Sequence, residues 1–142
     1  VSVKNFEYLA RTGFYDGVLF HRYVPGFVIQ GGAPKGKQKG GPGWSLPPEI
    51  NSRLLHAKGS VGWARVPSAT NPERLSHGSQ FYITLEPRSD LDGFYTIFAQ
   101  VVAGMKNVEM LRQGDKILGI RFPKKELSDE TTPASDFDVS DG

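Results

Sequence analysis

Phe20-His21-Arg22-Tyr23-Val24-Pro25-Gly26-Phe27-Val28-Ile29-Gln30-Gly31-Gly32 is the stretch on which the fold turns. Two short runs of rings and aliphatics flank Pro25-Gly26, a turn dipeptide, so the segment predicts a hairpin of strands over Val18–Tyr23 and Phe27–Gln30. On an unbroken strand His21 and Tyr23 face one way, and Phe20 and Arg22 the other. Charged side chains are rarely buried without partners, so an arginine sharing a face with a phenylalanine is poor core filler. After the turn Phe27 and Ile29 alternate with Val28 and Gln30. Two polar donors, Arg22 and Gln30, can then converge on an apolar patch. The plainer alternative is an amphipathic hairpin whose arginine stem lies along the surface with its head in water.

Outward from the hairpin, the chain alternates short elements with long loops. Val3, Phe6, Leu9 and Ala10 have helical spacing after Ser2 and before Gly13, which predicts a short amphipathic helix. Phe14 to Gly17 turn the chain. Gly31 to Pro48 is a loop rich in glycine and proline. Ser60–Val66 and Phe81–Leu85 read as strands around the polar loop Pro67–Gly78. Ile97–Val102 is a further strand. Met105, Val108 and Leu111 space as a short helix ended by Gly114, and Ile117–Phe122 make a last strand. About six strands and two short helices argue a mainly β domain, a small barrel or sandwich.

Composition bounds the function. The chain has 142 residues, enough for one domain, with 17 glycines and 10 prolines that favour turns and short strands. No apolar run is long enough to cross a membrane as a helix, so no membrane partner is expected. The absence of cysteine excludes disulfides, thiol nucleophiles and cysteine-based zinc sites. It is compatible with cytoplasm or periplasm, and cytoplasm is the expectation. Net charge is +2, too little to imply nucleic acid, and no nucleic-acid partner is expected. The last twenty residues, 123–142, set two lysines against six carboxylates and read as an acidic, disordered tail behind a domain over 1–122.

Other chemistries fit poorly. Gly31 to Gln38 approximates a phosphate loop, but Gln38 stands where Ser or Thr holds magnesium and no helix-forming stretch follows. His21, His56 and His77 have no metal-ligand spacing. Gly78-Ser79-Gln80 is not a nucleophile elbow and reads as a tight strand start.

Three segments carry a family resemblance. Phe20 to Gly32 resembles the cyclophilin signature, with its Phe-His-Arg start, Pro-Gly-Phe centre and Gln-Gly-Gly end. Gly78-Ser-Gln-Phe-Tyr-Ile83 and Leu91-Asp-Gly-Phe-Tyr-Thr-Ile-Phe98 resemble two later motifs of that family. Weaker matches at Val3 to Phe6, Gly13 to Gly17, Gly40 to Gly43, Gly59 to Val61 with Ala64, and Gly104-Met105 follow in family order over roughly 1–122. The short loops and missing cysteine look bacterial-like.

The resemblance implies a peptidyl-prolyl cis–trans isomerase on an antiparallel barrel capped by two helices, with an external groove and neither cofactor nor metal. It assigns Arg22 as the catalytic arginine. Phe27, Val28, Tyr82 and Leu91 match the proline pocket; Gln30 and Gln80 match groove amides. His21 is a site wall, Ala64 and Arg65 pair the groove backbone with the substrate, and Tyr95 stands at a groove position. The implied partners are proline-containing polypeptides in need of folding. A peptide-binding module without turnover is the alternative. Asp90 stands where animal members carry a tryptophan that contacts cyclosporin, so only weak affinity for such ligands is expected. Arg65 replaces an asparagine and makes the groove more basic. The Tyr82 hydroxyl, absent from the commoner phenylalanine, needs a partner. Ala99 stands where glycine is usual, and Pro67–His77 is a longer loop. The family's first two barrel strands have no counterpart before Val3, so the sequence reads as incomplete at its N-terminus.

Overall fold

A computed structural model describes residues 1–34, 40–65 and 70–123, and the backbone of 138–140. Helix α1 spans Ser2–Arg11 and buries Phe6, Leu9 and Ala10, the predicted apolar face. Five strands form one antiparallel sheet: β1 Phe20–Val24, β2 Val28–Gly31, β3 Ser60–Trp63, β4 Phe81–Thr84 and β5 Ile97–Gln100. Their spatial order is β1-β2-β4-β3-β5. Helix α2, Met105–Met110, follows, then β6, Gly119–Arg121. Each predicted strand and helix has its counterpart, displaced by up to three residues at the ends. Among the described residues the sheet stays open, because its edge strands β1 and β5 do not pair with each other.

The core lies on one face of the sheet. Ile29, Val61, Trp63, Phe81 and Ile83 project from it against Phe6, Leu9, Tyr15 and Phe20. Phe6 meets Phe81 edge to face with centroids 5.9 Å apart, and Trp63 stacks on Phe98 at 4.1 Å. Period-two alternation in β4 thus sends Phe81 and Ile83 inward, and Tyr82 to the opposite face.

The predicted alternation in β1 is corrected. Phe20 pairs with Gly31 and Arg22 with Gln30, so His21 is the extra residue of a β-bulge. The bulge resets the period. Phe20 is fully buried while Arg22 is exposed, and Tyr23 turns back toward the core. The conflict of an arginine sharing a face with a core ring does not arise.

Within the acidic tail, Asp138–Ser140 forms β7, antiparallel to β6, where the sequence suggested no element. The rest of the predicted disordered tail, residues 124–137 and 141–142, lies outside the described residues. So do Lys35 and Lys37 of the phosphate-loop candidate, Lys39 just beyond it, and residues 66–69, which hold the end of one predicted strand and the start of the long loop.

Candidate active site

One rung of the sheet assembles the site. Arg22 on β1 pairs with Gln30 on β2, Gln30 with Tyr82 on β4, and Tyr82 with Gly62 on β3. Gly62 is required there by space: a Cβ at this position would collide with the Tyr82 hydroxyl and stand 2.6 Å from Cζ.

The amides are oriented in series. Arg22 Nη1 donates to Gln30 Oε1 at 3.1 Å, and Gln30 Nε2 donates to Gln80 Oε1 at 3.2 Å. Gln80 Nε2 donates to the Gly40 carbonyl at 2.7 Å. Each amide receives at its oxygen and gives at its nitrogen, so neither can flip without breaking the chain. The guanidinium is steered by one bond, and an arginine has further N–H donors for a ligand.

Beside it lies a cavity of about 140 Å³, lined by Arg22, Phe27, Val28, Gln30, Ala64, Arg65, His77, Tyr82, Leu91 and Tyr95. It is well below the roughly 300–1,000 Å³ of pockets for drug-sized ligands, so it suits one small ring. Val28 and Tyr82 come from the outer face of the sheet. Leu91 comes from a short 3-10 turn, Ser89–Leu91, and Phe27 from the hairpin turn. A larger cleft of about 690 Å³, between α1, residues 49–55 and β5, holds none of the predicted residues. Its side-chain carboxylate, Glu49, is tied to the Ser2 N–H at 2.8 Å. The cleft offers no catalytic set.

Behind the cavity the Tyr82 hydroxyl meets His56 Nε2 at 2.6 Å, and His56 Nδ1 meets Asp92 Oδ1 at 2.8 Å. A carboxylate only accepts, so Nδ1 carries a proton toward Asp92, and Nε2 shares the second hydrogen bond with the Tyr82 hydroxyl. Asp92 also accepts the His56 backbone N–H at 2.6 Å; this donor chiefly holds its carboxyl below the usual value. Burial pushes the Tyr82 phenol far up, so it stays a donor. Burial, then the Arg22 guanidinium, lowers His21, and burial lowers His77. Both imidazoles are therefore neutral near pH 7.

The predicted residues Arg22, Phe27, Val28, Gln30, Ala64, Arg65, Tyr82, Leu91 and Tyr95 share the one cavity. His21 and Gln80 do not line it. His21 sits in the bulge with Nδ1 buried and unpartnered among the described residues, and Gln80 supports Gln30 from behind. Ala64 is not an open strand edge. Its N–H donates to Gln80 O at 2.9 Å and its C=O accepts from His77 N at 3.0 Å, which leaves a ligand the carbonyl's second lone pair. His77 as a liner and His56 as the Tyr82 partner were not foreseen. The one signal for His56 was the tyrosine hydroxyl itself, which required some buried acceptor or donor.

Fold and site define a mainly β protein that can grip a small apolar ring beside a steered guanidinium. A family model for the cyclophilin type peptidyl-prolyl cis-trans isomerase matches residues 1–129. A peptidyl-prolyl cis-trans isomerase of Synechococcus elongatus is 43% identical over 123 residues, 85% of this chain and 80% of that protein. The peptidyl-prolyl cis-trans isomerase B of Bacillus subtilis is 40% identical over 121 residues, 84% and 80% of the two chains. A cyclophilin type isomerase of Cryptosporidium parvum, solved in the presence of the dipeptide Ala-Pro, superposes with a TM-score of 0.66 at 34% identity, over 75% of this chain and 69% of that one. A second structure of that protein covers 97% of this chain and 79% of its own, with a TM-score of 0.67 at 30% identity. The chain belongs to the cyclophilin-type peptidyl-prolyl cis-trans isomerases. It is a rotamase enzyme with bacterial relatives, on a cyclophilin-like fold.

Proposed function

We propose that the chain accelerates rotation about X-Pro bonds in polypeptides by hydrogen bonding from Arg22 to the twisted amide, and so assists their folding. The C–N bond has partial double-bond character, with a barrier of ~18–20 kcal/mol and interconversion in tens to hundreds of seconds. Twisting ends the resonance and localises a lone pair on the prolyl nitrogen. A donor aimed at that lone pair binds the twisted state better than the planar one, and the difference lowers the barrier. No covalent bond breaks, so neither nucleophile nor proton shuttle is required.

The observation that carries this reading is the shared location of Arg22 and a ring-sized cavity. The guanidinium Cζ lies 5.8 Å from the Phe27 centroid, and both side chains line the same space. Phe27, Val28, Tyr82 and Leu91 hold the proline ring while the preceding residue turns. Gln30 keeps the guanidinium over the bond, and Gln80 keeps Gln30 in place. Cyclosporin-type ligands bind weakly in this reading, because Asp90 is exposed and committed to Arg88 through two 2.8 Å bonds.

Arg22→Ala should lower kcat/KM on a proline peptide by about 10²–10³. Because the side chain is exposed, the amide NMR spectrum should otherwise be preserved. An unchanged rate in a folded variant would remove Arg22 from the mechanism.

A further inference from the structure

Two arginines stand at the end of the cavity away from Arg22. Arg65 follows β3, with its Cζ 4.4 Å from the Tyr95 ring centroid and its Nε donating to the Phe94 carbonyl at 3.0 Å. Arg74 places its Cζ 5.1 Å from the Phe94 ring, from a backbone held at φ 56°. Successive rings thus carry two guanidinium groups at one corner of the site. Arg65 lines the cavity itself.

The charge balance there is one-sided. Among the described residues the liners include Arg22 and Arg65 and no carboxylate. Of the acids near the corner, Asp90 pairs with Arg88 and Asp92 is held by His56, while Glu73, next to Arg74 in the chain, is exposed and in no ion pair among the described residues. Among the described residues, neither Arg22 nor Arg74 forms an ion pair. His77, another titratable base on the wall, is kept neutral near pH 7 by burial and adds no positive charge.

The sheet order sets the distance. Strands β1 and β3 flank the β2-β4 pair, so the backbones of Arg22 and its rung partner Gly62 stand about three strand spacings, roughly 14 Å, apart, and Arg65 follows three residues beyond Gly62 with its side chain on the same cavity. An extended peptide covers that span in about four residues. With Arg22 at the prolyl amide, the second corner meets a side chain a few residues along the chain.

We infer that the Arg65–Arg74 corner selects polypeptides carrying an aspartate or glutamate within about four residues of the proline. The selectivity rests on the isomerase reading above and specifies its substrates. Planar guanidinium groups donate to carboxylates in bidentate geometry, and stacking on Tyr95 and Phe94 restricts their motion before the substrate arrives. A lysine on the peptide meets the same corner as repulsion.

The test is a peptide set with one proline and Glu, Gln or Lys at each position within four residues of it. Isomerisation is followed by NMR exchange at low and high salt. At one or more positions kcat/KM should fall in the order Glu, Gln, Lys, with a Glu-to-Lys ratio of about three to ten at low ionic strength that shrinks at high salt. Arg65→Gln and Arg74→Gln should each reduce that ratio. Because the ratio is taken within one protein, any general loss of rate cancels. Equal rates for Glu and Lys peptides at every position, or the same ratio in both variants, would overturn the inference. Failure of the wild-type chain on the neutral Gln peptides would instead overturn the isomerase reading, and the selectivity with it.

Discussion

At the residue scale, one hydroxyl organises the floor of the cavity. Tyr82 leans across Gly62 to His56, and His56 is fixed in turn by Asp92. Tyr82→Phe strands His56 Nε2, and His56→Ala strands the phenol. Losing one buried partner costs about 1–3 kcal/mol. The double variant should be less destabilised than the sum of the singles, with a coupling of about 1 kcal/mol by urea unfolding. Strict additivity would show that the contact contributes nothing. The residues of the signature were legible because they are neighbours in sequence: Arg22, Phe27, Val28 and Gln30 lie within one hairpin. His56 and His77 were not, since their roles depend on partners brought close only by the fold.

At the element scale, the bulge and the strand starts set the geometry. The extra residue His21 lets Phe20 enter the core and Arg22 leave it, which strict alternation forbids. No pattern in the sequence marks the bulge, because period two is a property of an unbroken ladder. Gly32 ends β2 with φ +98°, where a Cβ would collide with the Ser79 carbonyl and sit 3.1 Å from Gln80 Cα. The same carbonyl accepts the buried Tyr15 hydroxyl at 2.9 Å, and Ser79 Oγ donates to Gly32 O at 2.7 Å. These bonds lock β2 to β4 at the point where Gln30 meets Gln80. Gly32→Ala should therefore cost about 2–5 kcal/mol, combining a left-handed backbone with a steric clash. A thermal midpoint unchanged from wild type would contradict this account of the strand junction.

At the scale of the whole molecule, stability and pH are linked through His21 and His77. Both are lowered in the fold, chiefly by burial, so near their unfolded value of 6.5 the unfolded chain binds more protons than the folded one. Their contribution to stability is complete above pH 6.5 and is lost progressively below it, toward the lowered folded values. Asp92, also lowered, contributes above its ordinary value of 3.8 and loses its share only at still more acidic pH. The melting temperature should fall between pH 7 and pH 5, and less steeply in His77→Asn. A flat profile over that interval would remove the histidines from the balance. His21 hydrogen-bonds Gln80 and faces the Arg22 guanidinium, both members of the series from Arg22 to Gly40, so peptide turnover should decline over the same interval as the ring gains charge.

The sequence by itself determined the class of elements, the hairpin, the site motifs and the apolar face of α1. All of these rest on spacing within a few residues, where periodicity and turn chemistry act. The tertiary structure alone decided that Arg22, Gln30, Tyr82 and Gly62 form one rung, that Tyr82 ends on His56, and that Arg65 and Arg74 meet at one corner. Those contacts join strands far apart along the chain. Their register follows from a bulge and from packing on the opposite face of the sheet, which no local pattern encodes.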